Sequence, residues 1–341
     1  MTQVEIVTHH RVCHLCEAMC GLVIQTRGED VIDIRGDQAD PLSRGHACAK
    51  AVALKDIHED PDRLRRPLRR IRTRKGEYHH EEIDWAEALE LAADAIAATI
   101  NKSGIDAVGA YFGNPSVHNY GMLTHQRNLF RHIRTRNRFS ATSVDQLPHQ
   151  LVSLWCFGHK LLHPIPDVDR TQYFLMLGAN PLASNGSMWT VPDVRRRLKE
   201  LVKRGGKLVL VDPRRNETAV LASEHIFIRP GTDAAFLLAI IHVLFRDRLL
   251  KLGNLALFTD GIEEVAEAVK PITPEWAETR TSVQASTIER VAHELANAEA
   301  GICYGRMGVS TQEFGTLCQW AIQVINVLTG NLDKPGGLLF A

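Results

Sequence analysis

Four cysteines within the first fifty residues constrain this chain more than any other feature. The stretch "VCHLCEAMCG" places Cys13, Cys16 and Cys20 in one loop, "GHACAK" adds Cys48, and the next cysteine is at 156. Thiolates spaced C-x2-C-x3-C converge from one turn of backbone, and a fourth from a second loop closes a tetrahedron around a zinc ion or an iron–sulfur cube. Zinc more often takes two separated C-x2-C pairs or a His partner, here His9, His10 or His14; three close thiolates with one distant is the habit of a cube. Unligated thiols and exposed histidines are the plainer alternatives. Between the third and fourth cysteine, "GLVIQTRGEDVIDIRGDQADPLSRG" alternates apolar and polar residues, which predicts a hairpin leading to Cys48. Lys50, two residues on, is either a surface charge or a cation between a cluster and a second redox centre.

The 341 residues carry forty Lys+Arg against forty Asp+Glu and are 45% hydrophobic. That length supports two or more packed units, and the charge balance gives no long-range pull toward nucleic acid or an acidic membrane. The expected partners are a small-molecule substrate and proteins. The longest apolar run, Ala234 to Phe245, is too short to span a bilayer, and the first twelve residues show no export signal, so a cytoplasmic chain without membrane insertion is expected. In that reducing compartment a disulfide frame is disfavoured. The basic run Arg63 to Gly76 lacks interleaved aromatics and reads as a solvated ribbon rather than a nucleic-acid surface.

Asp84 followed by Glu87 predicts a capping box, with Ala88, Leu89, Ala92, Ile96 and Ile100 on one face of the helix that follows. "IDAVGAYF" reads as a short buried strand. "QYFLMLGANP", a basic helix over about 191–204 and "KLVLVDPRR" give strand, loop, helix and strand, a crossover in a parallel sheet whose ligands bind beyond the carboxyl ends. The loops from Gly178 to Asn185 and Asp212 to Arg215 are therefore candidates, although the nicotinamide fingerprint G-x-G-x-x-G is absent. Gly178 lets backbone approach a ligand, Asn180 offers an amide, and Asp212 accepts from a base or ribose.

The cysteine spacing followed by C-x-K resembles the amino terminus of the molybdopterin oxidoreductases of the dimethyl sulfoxide reductase family. The resemblance extends over "GANP", "DPRRNETA", "HIFIRPGTDAAF" and "GICYGRMGVSTQEFG", in the family's order, and covers Val12 to Leu339. It implies a small iron–sulfur amino-terminal domain followed by interleaved doubly wound α/β domains, drawn here as 1–65 (cluster), 66–136 (first part of α/β domain II), 137–300 (α/β domain III, nucleotide- and pterin-binding) and 301–341 (return to domain II). The implied cofactors are a [4Fe-4S] cluster on Cys13, Cys16, Cys20 and Cys48, and bis-molybdopterin guanine dinucleotide with molybdenum or tungsten. Lys50 would lie between cluster and pterin. Gly178, Asn180, Pro181, Asp212, Pro213, Arg214, Thr218, Arg229, Pro230, Gly231, Thr232 and Asp233 would hold the nucleotide end. Gly305, Arg306, Met307, Gly308 and Gln312 would face the metal, with Arg306 the cation beside a reacting oxyanion. Turn-fixing prolines, a surface Arg214 and a helix-capping Asp233 are the plainer readings, and Cys303 and Cys318 read as buried small hydrophobes.

The family's protein ligand to the metal sits eight residues after an Asn, which carries from Asn137 to Asp145; Ser143 and Cys156 are second and third choices. A carboxylate suits a high-valent metal that takes oxygen donors. Asp145 otherwise caps a helix, and His149 is read as an ordinary helix residue with a substrate role as its rival. Formate-oxidising members place His after a sulfur or selenium ligand, whereas Gln146 follows Asp145, which favours oxygen-atom transfer. The family's terminal β-barrel domain has no counterpart in this sequence, which implies a fragment, a second chain supplying the remainder, or an electron-transfer or structural subunit carrying only the cluster.

Overall fold

A computed structural model describes residues 5–340, the side chains of Asn114 and Pro115 excepted. The chain divides into two compact units, Met1–Ala141 and Thr142–Ala341.

In the first unit β1 (Ile6–Val12), β2 (Gly21–Arg27) and β3 (Asp30–Gly36) form an antiparallel sheet in that order. Gly28, with φ of 62°, turns the β2–β3 hairpin in the left-handed region that glycine enters without steric cost. The short helices α1 (Ala49–Val52) and α2 (Leu54–Glu59) follow, Ala51 being fully buried against Leu22 and Ile34. β4 (Leu68–Arg72) and β5 (Tyr78–Glu82) pair as a hairpin, so the basic run is a ribbon. Its charge is answered locally: Arg69 bonds Glu87 at 2.6 Å, and Arg70 lies 4.7 Å over the Tyr78 ring.

α3 (Trp85–Ser103) starts where Asp84 accepts from the Glu87 amide at 2.8 Å, but the Glu87 carboxylate turns to Arg69, so only half of the expected capping box forms. No residue of this helix is buried, and Leu89 on its apolar stripe is 64% exposed. β6 (Ala110–Phe112) pairs in parallel with β7 (Arg138–Ser140), the two joined through α4 (Tyr120–Ile133). The burial expected of β6 is not found: Tyr111 is 72% exposed, because a two-stranded ribbon brings no packed layer over that face within the unit.

The second unit opens with α5 (Thr142–Asp145), α6 (Leu147–Phe157) and β8 (Ile165–Pro166), then runs β9 (Tyr173–Leu177), α7 (Pro181–Ser184), α8 (Val194–Lys203), β10 (Lys207–Val211), β11 (Glu224–Ile226) and α9 (Asp233–Arg246). After α10 (Ile262–Val269), α11 (Pro274–Thr281) and α12 (Ala285–Asn297) come β12 (Gly301–Gly305), α13 (Met307–Ser310), α14 (Gly315–Leu328) and β13 (Leu338–Leu339), which pairs with β8. Four strands make one parallel sheet in the order β11-β10-β9-β12.

Both sheet faces are covered, which is why its strands read as continuous apolar runs rather than alternating ones. Leu175, Leu177, Val209, Val211 and Cys303 pack one way, against α9, α12 and α14. Phe174, Met176, Leu208, Leu210 and Tyr304 pack the other, against Trp189 and the Leu198 and Leu201 stripe of α8. Cys303 and Cys318 are fully buried in the first layer as apolar fill. The sequence-drawn boundary at 300/301 falls inside this sheet, since Gly301–Gly305 hydrogen-bonds alongside Tyr173–Leu177. Order reverses between β9 and β12, and open α/β sheets bind ligands beyond the carboxyl ends of their strands at such a point.

Candidate functional site

In the first unit Cys13 donates its amide to the Cys20 carbonyl at 2.8 Å, closing the loop that holds Cys16 at its tip. Asp40 accepts from the Ser43 hydroxyl at 2.6 Å, and Ser43 accepts from the Gly21 amide at 3.0 Å, which latches the return loop to β2 and delivers Cys48 to the start of α1. Cys13 and Cys20 are buried, Cys16 and Cys48 half-buried, in one cluster with Ala18, Leu22 and Ala51. Burial pushes the Cys20 thiol up to about 11, and the other three thiols push the same way. Cys13 is raised too, by burial first and then by Cys16 and Cys48, with Lys50 opposing. Two desolvated thiols, each repelled as a thiolate by its cysteine neighbours, fit a multivalent cationic centre.

Zinc fits less well. A tetrahedral zinc with Zn–S of about 2.3 Å needs its thiolates close around one point. Among the described residues no three His, Cys, Asp or Glu side chains close on a single metal ion. Two of the histidines zinc would recruit are engaged elsewhere, His9 with the Thr26 hydroxyl at 3.1 Å and His10 with the Asp37 carboxylate at 2.6 Å. Lys50 is exposed on α1.

In the second unit Ser143, Asp145, His149 and Cys156 lie on α5 and α6, and the other proposed site residues lie at or beyond a strand's carboxyl end, or at the start of the helix that follows. Gly178, Asn180 and Pro181 follow β9, Asp212, Pro213, Arg214 and Thr218 follow β10, and Arg229, Pro230, Gly231, Thr232 and Asp233 follow β11. Gly305 ends β12, and Arg306, Met307, Gly308 and Gln312 come after it. Several side chains hold one another. Asn180 donates to Glu217 at 2.5 Å and accepts from Thr218 at 2.8 Å, while Asp212 accepts from the Arg214 amide at 2.7 Å and from Asn216 at 3.0 Å. Asn180, Asp212 and Thr218 thus shape the loops after β9 and β10, where Arg214 stands exposed, while Arg229 stands exposed on the loop after β11 and donates to the Ser282 hydroxyl at 3.1 Å. Asp233 does not cap α9: it is buried within the first turn and accepts from Gln312 at 2.9 Å, with burial raising its carboxyl above the usual range.

The glycines differ in what they approach. A Cβ on Gly178 would meet the Val309 amide at 2.7 Å, and one on Gly305 would meet Ile322 at 2.5 Å, so both are packed against this chain's own interior. Gly231, with φ of 79°, has nothing within 4 Å of that position and lies open. Met307 is 53% exposed.

Asp145 and Arg306 do come together. The Arg306 Nη2 donates to Asp145 Oδ1 at 3.0 Å and to Ser187 Oγ at 2.8 Å, and Nη1 donates to the Asp145 carbonyl at 3.1 Å. Arg306 is only 5% exposed, so a desolvated guanidinium is held in a fixed plane by a carboxylate. Asp145 ends α5 and caps neither helix; Gln146 holds the cap position of α6. Beside it an open depression of about 320 Å³ is lined by Ser143, Leu147 and Leu151 on one side and Thr311, Gln312 and Glu313 on the other. Cys156 lies near the far end of α6.

Sequence reasoning missed Ser187, Asn216 and Glu217. Ser187 follows a Ser-Asn-Gly turn signal, and its φ of 52°, after 53° at Asn185 and 87° at Gly186, shows how tightly that loop is wound to bring the hydroxyl to Arg306.

The molybdopterin oxidoreductase family matches residues 63–341, and the molybdopterin oxidoreductase Fe4S4 domain matches residues 7–59. The thiosulfate reductase molybdopterin-containing subunit of Salmonella typhimurium is 29% identical over 332 residues, covering 96% of this chain and 41% of the relative. Formate dehydrogenase H of Escherichia coli is 29% identical over 336 residues, covering 95% and 45%. Acetylene hydratase from Pelobacter acetylenicus has a similar fold, with a TM-score of 0.77 at 23% identity over 97% of this chain and 44% of that structure. The chain spans less than half the length of these relatives.

Proposed function

Because this chain belongs to the molybdopterin oxidoreductase family and carries that family's Fe4S4 domain, we propose that it serves in the catalytic subunit of a two-electron oxidoreductase acting on a small molecule. The carrying observation is the four-thiol pocket, in which Cys13 and Cys20 are buried and held protonated by burial and their cysteine neighbours, so that a cationic centre is needed to keep them as thiolates. Cys13, Cys16, Cys20 and Cys48 would hold a [4Fe-4S] cluster, exchanging electrons with a redox partner protein, with Lys50 as the cation between cluster and pterin.

The donor set of the second unit also fits a nucleotide-tailed pterin. Arg214, on a loop that Asn180, Asp212 and Thr218 shape, and Arg229 and the open backbone at Gly231, on the loop after β11, are exposed to an anionic diphosphate, Arg214 resting on Glu217 at 3.2 Å and Arg229 on the Ser282 hydroxyl at 3.1 Å. Molybdopterin with molybdenum or tungsten, in the bis-guanine-dinucleotide form we propose, supplies the two-electron redox centre when bound. Asp145 would give that metal an oxygen ligand. Arg306 holds the Asp145 carboxylate in one orientation, and its buried positive charge favours an oxyanion nearby. Asp145 followed by Gln146 favours oxygen-atom transfer over formate oxidation: an oxidised substrate XO, two protons and two electrons give X and water.

A second reading is favoured by the burial of Arg306, which satisfies Asp145 within the protein, and by the mutual pairing of Asn180, Thr218 and Asp212. It is an electron carrier that uses the cluster alone. Metal analysis of the full-length protein purified without oxygen separates the two. About four iron per chain, with molybdenum or tungsten and a pterin fluorophore on denaturation, is the expected result. Iron alone selects the carrier, and a protein with neither iron nor pterin removes both readings.

A further inference from the structure

The second unit contains a small pocket of about 20 Å³ whose lining includes His149 of α6, Tyr304 of β12, and Gln319 and Gln323 of α14. Each of these brings a polar atom that is sealed from solvent and has no hydrogen-bond partner in the protein: His149 Nε2, Tyr304 Oη, Gln319 Oε1 and Gln323 Oε1. Buried polar groups are very rarely left unpaired, and four around one pocket point to a shared partner. The available space selects its size, since roughly 10–15 Å³ accommodates a single water and little else.

The chemistry of the four groups selects the same partner. The Gln319 amide is oriented by donation from its Nε2 to Ser310 Oγ at 3.0 Å, which leaves Oε1 as the atom without a partner. Gln323 likewise brings an amide oxygen, and both oxygens only accept. Tyr304 is fixed by ring contacts to Phe174 and Trp189, at 6.3 and 5.8 Å, and its hydroxyl donates. Burial, then Arg306 and His163, push the His149 imidazole down to about 3, so the ring is neutral with a single N–H, which the Nε2–H tautomer would turn into the pocket as the second donor. Two donors and two acceptors match the two lone pairs and two hydrogens of one water molecule. The nearby Arg306 charge disfavours a cation there, and an apolar guest would leave all four groups unpaired.

We propose that His149, Tyr304, Gln319 and Gln323 bind one long-lived internal water, and that this water ties the helix following Asp145 to the strand preceding Arg306. Asp145 lies four residues before His149 and Arg306 two after Tyr304, so the water fixes the two backbone segments that present the pair, with α14 as the third wall. The four residues act by positioning, and the inference stands whether or not the metal reading above holds.

A high-resolution crystal structure of the full-length protein and the nitrogen NMR spectrum of its imidazoles at neutral pH test this together. The expected results are one solvent peak within about 3.2 Å of all four atoms, and a His149 proton on Nε2. Gln323→Leu should abolish the peak and shift the His149 resonances while leaving the iron content of the first unit unchanged. Three results overturn the proposal: a collapsed pocket in which the glutamines bond Tyr304 or His149 directly, a dry pocket, or His149 in the Nδ1–H tautomer. The wild-type measurements decide the matter even where a variant fails to fold.

Discussion

The Gly308 amide donates to the Gly178 carbonyl across 2.9 Å, joining the ends of β9 and β12 where the sheet order reverses. Neither position has room for a side chain: a Cβ on Gly308 would lie 2.7 Å from the Gly178 Cα, and Gly178 also has φ of 52°. Gly308→Ala and Gly178→Ala should each destabilise the second unit by about 2–3 kcal/mol, read as a lower urea midpoint at unchanged slope. Gly231→Ala provides the contrast, because its added methyl enters open space and pays only about 1 kcal/mol for the left-handed backbone. Equal losses at Gly231 and Gly308 would show that the strand ends are not in tight contact.

At the opposite end of the sheet a charge network sets an acid limit on stability. Glu294 accepts from Lys207 at 2.8 Å, Tyr173 at 3.0 Å and Arg290 at 3.1 Å, and Glu224 accepts from Arg290 at 2.5 Å and pairs with Lys207 at 3.0 Å. Burial alone would raise both carboxyls, but the bonds from Arg290 and Lys207 outweigh it and hold both below the usual glutamate value. Their folded forms therefore bind fewer protons than their unfolded forms. The stabilisation is present above the unfolded pKa of about 4.3 and is lost as pH falls through the folded values. Denaturant midpoints should fall as pH drops below about 4.5. Glu294→Gln should flatten that fall and cost about 1–2 kcal/mol at neutral pH, the partial exposure of the network keeping the figure modest.

The strands of this sheet were legible because burial on both faces leaves an uninterrupted apolar run, as in Tyr173–Leu177 and in β10 after Lys207. Their order was not, since nothing local to Gly301–Gly305 states that its partner is Tyr173–Leu177. The same long-range character hid the use of Gly178: a glycine after a strand suggests close approach to a ligand, and only the folded chain shows Gly308 there. Asn180 and Asp212 were found by residue type, but their partners, the exposed Glu217 and the buried Asn216, sit in a loop without periodicity. On α3 the apolar stripe was correctly placed on one face, yet its burial depends on neighbours that a helix period cannot supply. The cysteine pocket was the most legible feature, because four thiols at metal-ligand spacing have few other uses.

Removal of the iron exposes that pocket's chemistry. With burial and its neighbours raising Cys20 to about 11, the thiolate fraction near neutral pH falls about 100-fold below that of an ordinary buried-free thiol of pKa near 9. After chelation under reducing conditions, Cys20 should therefore alkylate with iodoacetamide on the order of 100-fold more slowly than a small free thiol, followed by mass spectrometry. Restored iron and sulfide should protect all four cysteines. Cys20→Ala should lower the iron content of protein reconstituted without oxygen, and full iron retention in that variant would take Cys20 out of the ligand set.

Arg306 and Asp145 offer the sharpest test of the second site, because geometry and charge separate there. Arg306→Lys keeps the positive charge but loses the planar fork that reaches the Asp145 carboxylate, the Asp145 carbonyl and Ser187 together. In the full-length, cofactor-loaded protein kcat/KM should fall about 100-fold, equivalent to ~2.7 kcal/mol, whereas Ser187→Ala, which removes one of three bonds, should cost about tenfold. Asp145→Asn leaves a guanidinium that is 5% exposed without its countercharge, so a stability loss of about 3 kcal/mol is expected whether or not the carboxylate touches a metal. The electron paramagnetic signal of the metal distinguishes the roles: a changed signal in Asp145→Asn, with the signal kept in Ser187→Ala, assigns the carboxylate to the metal. An unchanged signal with turnover retained would leave Asp145 solely as the residue that holds Arg306 in place.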